Sequence, residues 1–339
     1  MPAESSSPAA RVRAGGTVLS LCAGPLTVPI LRAHTDGPLR FPELRERIGG
    51  AAQTTLRSQV GNLRQLGALV KRERGGMPYT VENELTDVGR AVLQVADALV
   101  AWLERAPQGP ISLGSEPAKA AIRALVGAWG STMLRALAAR PLSLTALDSL
   151  IPDLSYPGIE RRLAAMRAAR QVEQAPGQGG GRPYAVTPWL RQAVAPLAVA
   201  GRCECRHLAD EAEVLTRIDI EAAFLLSVPL VRLPEGQGGE CLLAVDTSGG
   251  ELGPAESEQA HPRLAGVRVA VEDGRVVSCV SRLENDPGTW VLGTVQAWLD
   301  AFIDGRLAGL RIGGDDPRLV RSLAAELHSS LYTHIDAPK

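Results

Sequence analysis

Between residues 53 and 66, hydrogen-bonding side chains recur at helical spacing. At 100° per residue, Thr54, Ser58, Asn62 and Gln65 share one side of a helix, with Gly61 among them, and Leu56, Val60 and Leu63 fall on the other. Such groups do no covalent chemistry. They suit the reading of base edges, which needs a helix held by one apolar face and carrying short polar groups on the opposite one. Arg57 and Arg64 flank the polar side, where phosphates would lie, and Lys71, Arg72 and Arg74 follow within ten residues. Cations there are placed to grip the backbone.

Other chemistries find no support. The chain has no Gly-x-Ser-x-Gly, His-Glu-x-x-His or Gly-x-x-x-x-Gly-Lys run, and its five histidines are scattered. We expect no catalytic residues and no cofactor. Cys203-Glu204-Cys205-Arg206-His207 invites a metal reading, but on a helix the two cysteines point about 200° apart, so no metal site is expected. Asp210-Glu211-Ala212-Glu213 reads as a solvated face. The five cysteines, with no export signal, read as reduced thiols.

The elements that position the polar face occur twice. Shifted by 103 residues, Ile30-Leu31-Arg32 falls on Met133-Leu134-Arg135, Pro38-Leu39 on Pro141-Leu142, and Leu56, Val60 and Leu63 on Ile159, Leu163 and Met166. In the first copy we expect helices over 17–34, 41–48 and 53–66, a hairpin from Ala68 to Val81 with its tip at Glu73–Gly76, and a closing helix over 85–103. The second copy predicts helices over 117–139, 145–150, 157–169 and 188–214, with a wing tip at 176–181. The predicted fold is mainly α with β wings: two tandem winged helix-turn-helix domains plus a small α+β C-terminal domain. The boundaries are a loose tail at 1–13, domain one at 14–105, a linker at 106–115, domain two at 116–215 and the α+β domain at 216–335.

Charge follows the same division. Lys plus Arg against Asp plus Glu is 13 against 10 over residues 1–110, 12 against 9 over 111–215 and 11 against 18 over 216–339. Two mildly basic units precede an acidic third, as a nucleic-acid-binding front and a phosphate-avoiding back would require. No run is long and apolar enough to span a membrane, and a cytoplasmic location is expected.

Residues 15–103 resemble the HxlR-type winged helix-turn-helix regulators. The matching runs are Leu21-Cys22-Ala23-Gly24, Ile30-Leu31-Arg32, Gly37-Pro38-Leu39-Arg40-Phe41-Pro42-Glu43-Leu44, and Leu85-Thr86 with Gly89-Arg90. The resemblance implies a bacterial transcriptional regulator, usually homodimeric, with a groove role for Thr54, Thr55, Ser58, Gln59 and Asn62; Gln53, at the head of the same helix, joins the DNA-contact set. Some relatives sense oxidants through a cysteine upstream of the first apolar helix, whereas Cys22 aligns inside the loop-to-helix segment and reads as a small buried thiol.

The second copy keeps the scaffold, with Gly127-Ala128-Trp129 and Val186-Thr187, but its outward face carries Arg161, Ala164, Ala165 and Ala168. Alanine reads nothing beyond a thymine methyl. Two readings stay open: weak DNA contact through Arg161, Arg162, Arg167 and Arg182, or a retired module that packs on its neighbour and completes an internal pseudo-dimer. The chain is then a monomer with internal pseudo-symmetry or a homodimer. In the last third, Trp298 to Gly305 followed by Leu310 to Asp315 resembles the end of sterol-carrier-like domains. That resemblance implies a cavity for a small apolar or aromatic effector, with Phe224, Trp290, Trp298 and Phe302 as lining residues. The expected partner is double-stranded DNA, with no membrane. The rival reading is a protein that sequesters a small molecule and has only vestigial DNA contact.

Overall fold

The computed structural model describes residues 16–74, 80–129, 132–176, 182–208, 217–246, 264–281 and 288–332. The N-terminal tail, residues 75–79 and 177–181 at the wing tips and the acidic run at 210–213 lie outside the described residues, while Glu73 and Arg74 of the expected first tip belong to a strand.

The first unit comprises α1 (Gly16–Cys22), α2 (Thr27–Ala33), β1 (Leu39–Arg40), α3 (Phe41–Ile48), α4 (Gln53–Gln65), β2 (Leu69–Arg74), β3 (Thr80–Leu85) and α5 (Asp87–Glu104). The single helix expected over 17–34 is instead two, bent by 80°. Pro25 and Pro29 have no amide hydrogen to donate to residues 21 and 25, so the ladder breaks there. The strand β1 was not anticipated; it pairs with β3, Leu39 opposite Asn83, and makes the wing a three-stranded sheet.

Gly89 explains part of the Leu-Thr-x-x-Gly-Arg run. A Cβ there would lie 2.3 Å from the Ala68 carbonyl oxygen, so only glycine lets α5 cross the end of the wing at this distance. Thr86 caps α5, its Oγ1 accepting from the Gly89 amide at 3.1 Å and donating to the Gly67 carbonyl at 2.6 Å.

The element order then recurs in α6 (Glu116–Trp129), α7 (Met133–Ala139), α8 (Leu144–Leu150), α9 (Tyr156–Ala168), β4 (Val172–Gln174), β5 (Tyr184–Val186), α10 (Pro188–Gln192) and α11 (Val194–His207). An isolated bridge between Leu142 and Tyr184 stands where β1 meets β3. Thr187 caps α10 as Thr86 caps α5, accepting from Leu190 and donating to the Arg170 carbonyl at 3.0 Å. The expected closing helix is broken at Ala193, where Pro196 has no amide to offer Gln192.

The units share a core. Helix α11 packs along α5 and α1. Trp102 of α5 and Trp189 of α10 stack with ring centroids 4.4 Å apart and planes within 6°. Each indole N–H donates to the other residue's carbonyl, at 2.9 and 2.8 Å. Glu204, 2% exposed, accepts from the Val18 amide at 2.7 Å, so α11 supplies a carboxylate to the N-terminus of α1.

The C-terminal domain begins with α12 (Arg217–Ser227). It continues with β6 (Gly239–Asp246), β7 (Leu264–Glu272), β8 (Arg275–Val280), β9 (Thr289–Thr294), α13 (Val295–Asp304), β10 (Arg311–Gly314) and α14 (Pro317–Tyr332). Its sheet has the order β10-β9-β6-β7-β8, with β6 and β9 parallel and the other pairs antiparallel. Arginines of the preceding units hold it. Arg191 donates to the Leu225 carbonyl at 2.8 Å, Arg105 to the Leu331 carbonyl at 2.9 Å, and Arg202 pairs with Asp304 at 2.6 Å. No single helix among the described residues is long and apolar enough to cross a membrane.

Candidate nucleic-acid interface

Helix α4 starts after the left-handed pair Gly49 (φ 62°) and Gly50 (φ 61°) and ends in a left-handed Gly67 (φ 77°). Leu56 and Leu63 are fully buried and Val60 nearly so. This seam turns Gln53, Thr54, Thr55, Arg57, Ser58, Asn62, Arg64 and Gln65 outward, all exposed. A Cβ at Gly61 would meet nothing within 4 Å, so the bare backbone there faces open space. Arg57 lies over the Phe41 ring at 5.1 Å, which fixes its stem beside the polar face.

Gln59 is the exception on this helix. It is half-buried, and its amide donates to Thr27 Oγ1 at 3.0 Å, tying α4 to α2. Its amide is thus engaged inside the unit, unlike its exposed neighbours on α4.

The wing differs from the expected basic hairpin. Lys71 pairs with Glu73 at 2.6 Å and Arg72 pairs with Glu84 across the strands. The carboxylates of β2 and β3 thus offset its cations, which a count of Lys71, Arg72 and Arg74 alone did not weigh. The side chain of Arg74 lies outside the described residues.

On α9, Arg161, Ala164, Ala165, Arg167 and Ala168 are exposed, and Arg182 is exposed beside β5. Burial, reinforced by neighbouring Arg161, lowers the pKa of half-buried Arg162. The alanine face is therefore not covered by the C-terminal domain, contrary to the packing that one sequence reading assigned to it.

The C-terminal aromatics also depart from expectation. Phe224, Trp298 and Phe302 are fully buried against one another, with Phe224 edge-on to Trp298 at 4.6 Å and 5.8 Å from Phe302. Trp298 donates its indole N–H to the Ala244 carbonyl at 2.7 Å. Trp290 stands apart, its ring against Gly313, where a Cβ would come within 2.5 Å of it. The four do not line a common cavity. Phe302 borders a void of about 20 Å³ shared with Trp129, Leu197 and Leu299, which is room for a single water. Three of these rings are core because they fill the space between α12, α13 and the sheet.

Burial raises the Cys22 thiol far above its ordinary range and pushes Cys203 up to about 12. Neither is a reactive thiolate at neutral pH. Cys205 is half-buried and His207 exposed, so the cysteine–histidine run spreads around α11, and its important member is Glu204.

Residues 24–108 match the HxlR-like helix-turn-helix family. An HTH-type transcriptional regulator of Halalkalibacterium halodurans is 34% identical over 88 residues, which are 26% of this chain and 78% of that protein. The chain belongs to the HxlR-like helix-turn-helix family. The HTH-type transcriptional regulator YtfH of Escherichia coli is 36% identical over 77 residues, 23% of this chain and 61% of its own length. An HTH-type regulator of Methanothermobacter thermautotrophicus is 33% identical over 73 residues, 22% of this chain and 56% of its own. The family match spans the unit that carries α4 and its wing.

Proposed function

We propose that the protein is a DNA-binding transcriptional regulator in which α4 enters the major groove. The observation that carries this is the face of α4: Thr54, Ser58, Asn62 and Gln65 exposed over a buried Leu56–Val60–Leu63 seam, in a chain of the HxlR-like family. The relatives' names as HTH-type transcriptional regulators favour the same reading. Asn62 is the adenine-reading candidate, Arg57 and Arg64 lie where phosphates pass, and Thr54, Thr55 and Ser58 approach base edges or sugar.

We further propose that residues 116–207 form a second winged helix and that the chain works as an internal pseudo-dimer. The repeated element order, the matching caps of Thr86 and Thr187 and the shared Trp102–Trp189 seam support this arrangement. On this reading, α9 supplies backbone contacts through Arg161, Arg162 and Arg182, and sequence is read by α4.

The test is fluorescence anisotropy on a duplex enriched from genomic fragments, with a shuffled duplex as control. Losing a bidentate side-chain–base contact costs about 1–3 kcal/mol. Asn62→Ala should therefore weaken cognate binding by roughly tenfold or more. It should weaken shuffled binding much less. Equal loss on both duplexes, or no loss on either, contradicts base reading by α4.

A further inference from the structure

An open trough of about 1030 Å³ lies at the junction of the linker, α9, β4 and α10. Arg105, Arg167 and Arg170 line it with one carboxylate, Glu173, and Trp189 and Pro107 contribute apolar surface. None of the ion pairs among the described residues involves Arg167 or Arg170. The Arg167 guanidinium lies over the Tyr184 ring at 5.6 Å, which orients it. Arg105 is committed to the last carbonyls of α14, so the trough borders the contact that holds the C-terminal domain.

Arg170 is the telling residue. The 103-residue shift places it on Gly67. In the first unit, α4 ends with the Gly67 amide donating to Arg64 and the Ala68 amide to Leu63, at a glycine with φ 77°. In the second unit, α9 ends with the Arg170 amide donating to Arg167 and the Gln171 amide to Met166, at an arginine with φ 59°. This left-handed position favours glycine. Arginine is strained there and does nothing for the helix end that glycine would not do better. Its distinctive contribution is a guanidinium at the trough.

The geometry points to a binding site for a small organic anion with an apolar body, its acidic group held by Arg167 and Arg170 and its body lying along the apolar wall. A volume of this size suits a small molecule, and paired guanidinium groups suit a carboxylate, sulfonate or phosphate. The inference rests on the regulator reading only in making the anion its effector. The binding assay needs no DNA, so failure of the trough and failure of α4 as reader are separable.

The probe is 8-anilinonaphthalene-1-sulfonate, titrated by fluorescence into the full chain. N-phenyl-1-naphthylamine, the same body without the sulfonate, is the neutral control. Arg170→Gly should raise the thermal unfolding midpoint, because strain is relieved, and weaken the sulfonate probe by about tenfold, the worth of one charge-assisted hydrogen bond. Arg167→Gln should weaken it comparably, Arg170→Lys should retain most of the binding, and the neutral probe should not respond to any of the three. Unchanged sulfonate binding in Arg170→Gly and Arg167→Gln overturns the proposal. So does an equal loss of both probes. A loss of DNA affinity with sulfonate binding intact overturns it too, by assigning the trough to the phosphate backbone.

Discussion

The seam between the two helical units makes the most direct energetic prediction. Trp102 and Trp189 are 1% and 4% exposed, stacked, and joined by two reciprocal indole-to-carbonyl hydrogen bonds. Trp189→Phe keeps a ring in place but removes one donor. The Trp102 carbonyl also accepts from the Arg105 amide at 3.2 Å, so it is not orphaned, and the lost bond costs about 1 kcal/mol. The smaller ring gives up roughly 30–40 Å² of buried apolar surface, about another 1 kcal/mol. Each single replacement should therefore cost about 2 kcal/mol, and the double replacement about 4 kcal/mol, because each lost donor served the other residue's main-chain carbonyl and a pair of rings persists. Urea denaturation followed by far-UV circular dichroism measures all four corners of the cycle. Single losses under about 0.5 kcal/mol would refute the idea that this pair fastens one unit to the other.

Two other predictions separate stability from recognition. Gly61→Ala fills open space on an exposed helix face, so it should stabilise the fold by about 0.5–1 kcal/mol while lowering cognate duplex affinity; a variant gaining both would remove the close backbone approach from the account. His34 is 2% exposed, its Nδ1 lies 2.8 Å from the Ile30 carbonyl, and burial lowers its pKa. Between the folded and unfolded pKa values the unfolded chain binds the extra proton. The contribution of His34 is thus complete above about pH 6.5 and fades as pH falls toward the folded value, at up to about 1.4 kcal/mol per pH unit. Melting curves from about pH 7.5 to about pH 5.5 should show this slope in the native chain and a flatter one in His34→Gln; equal slopes would assign the effect elsewhere.

The first unit was legible because its signals are local and mutually consistent. Leu56, Val60 and Leu63 mark a helix by period, Gly67 marks its end, and Gly37 to Leu44 carries a family pattern. Boundaries failed where proline entered an apolar run, as at Pro25 and Pro196, because hydrophobic periodicity continues across a residue that cannot donate. The partners of the wing cations were hidden for a different reason. The carboxylates that offset Lys71 and Arg72 sit at Glu73 and Glu84, and cross-strand register becomes visible only once β2 and β3 are paired. Likewise, nothing in Cys203-Glu204-Cys205 indicates that Glu204 serves the N-terminus of a helix 186 positions earlier. The Gly67–Arg170 correspondence was present in the 103-residue repeat, but its meaning depends on the backbone angle at both sites.

The two helical units share an element order and present different outward faces. In the first, the outward helix carries hydrogen-bonding groups, and Lys71 and Arg72 of the wing are matched by carboxylates. These wing pairs are solvent-exposed on at least one side, with Lys71 and Glu73 at 39% and 47%. Such pairs hold each other by about 0–1 kcal/mol, so a phosphate can displace the acid. On the proposed DNA-binding reading, the wing then adds little net attraction and discrimination comes from α4. In the second, the outward helix carries alanine while Arg161, Arg167 and Arg170 stand beside it. Positive charge without base-reading groups attracts anions regardless of sequence. On the proposed reading, in which α9 does not read sequence, the strained Arg170 where the first unit has Gly67 is accounted for by an anion held at the trough.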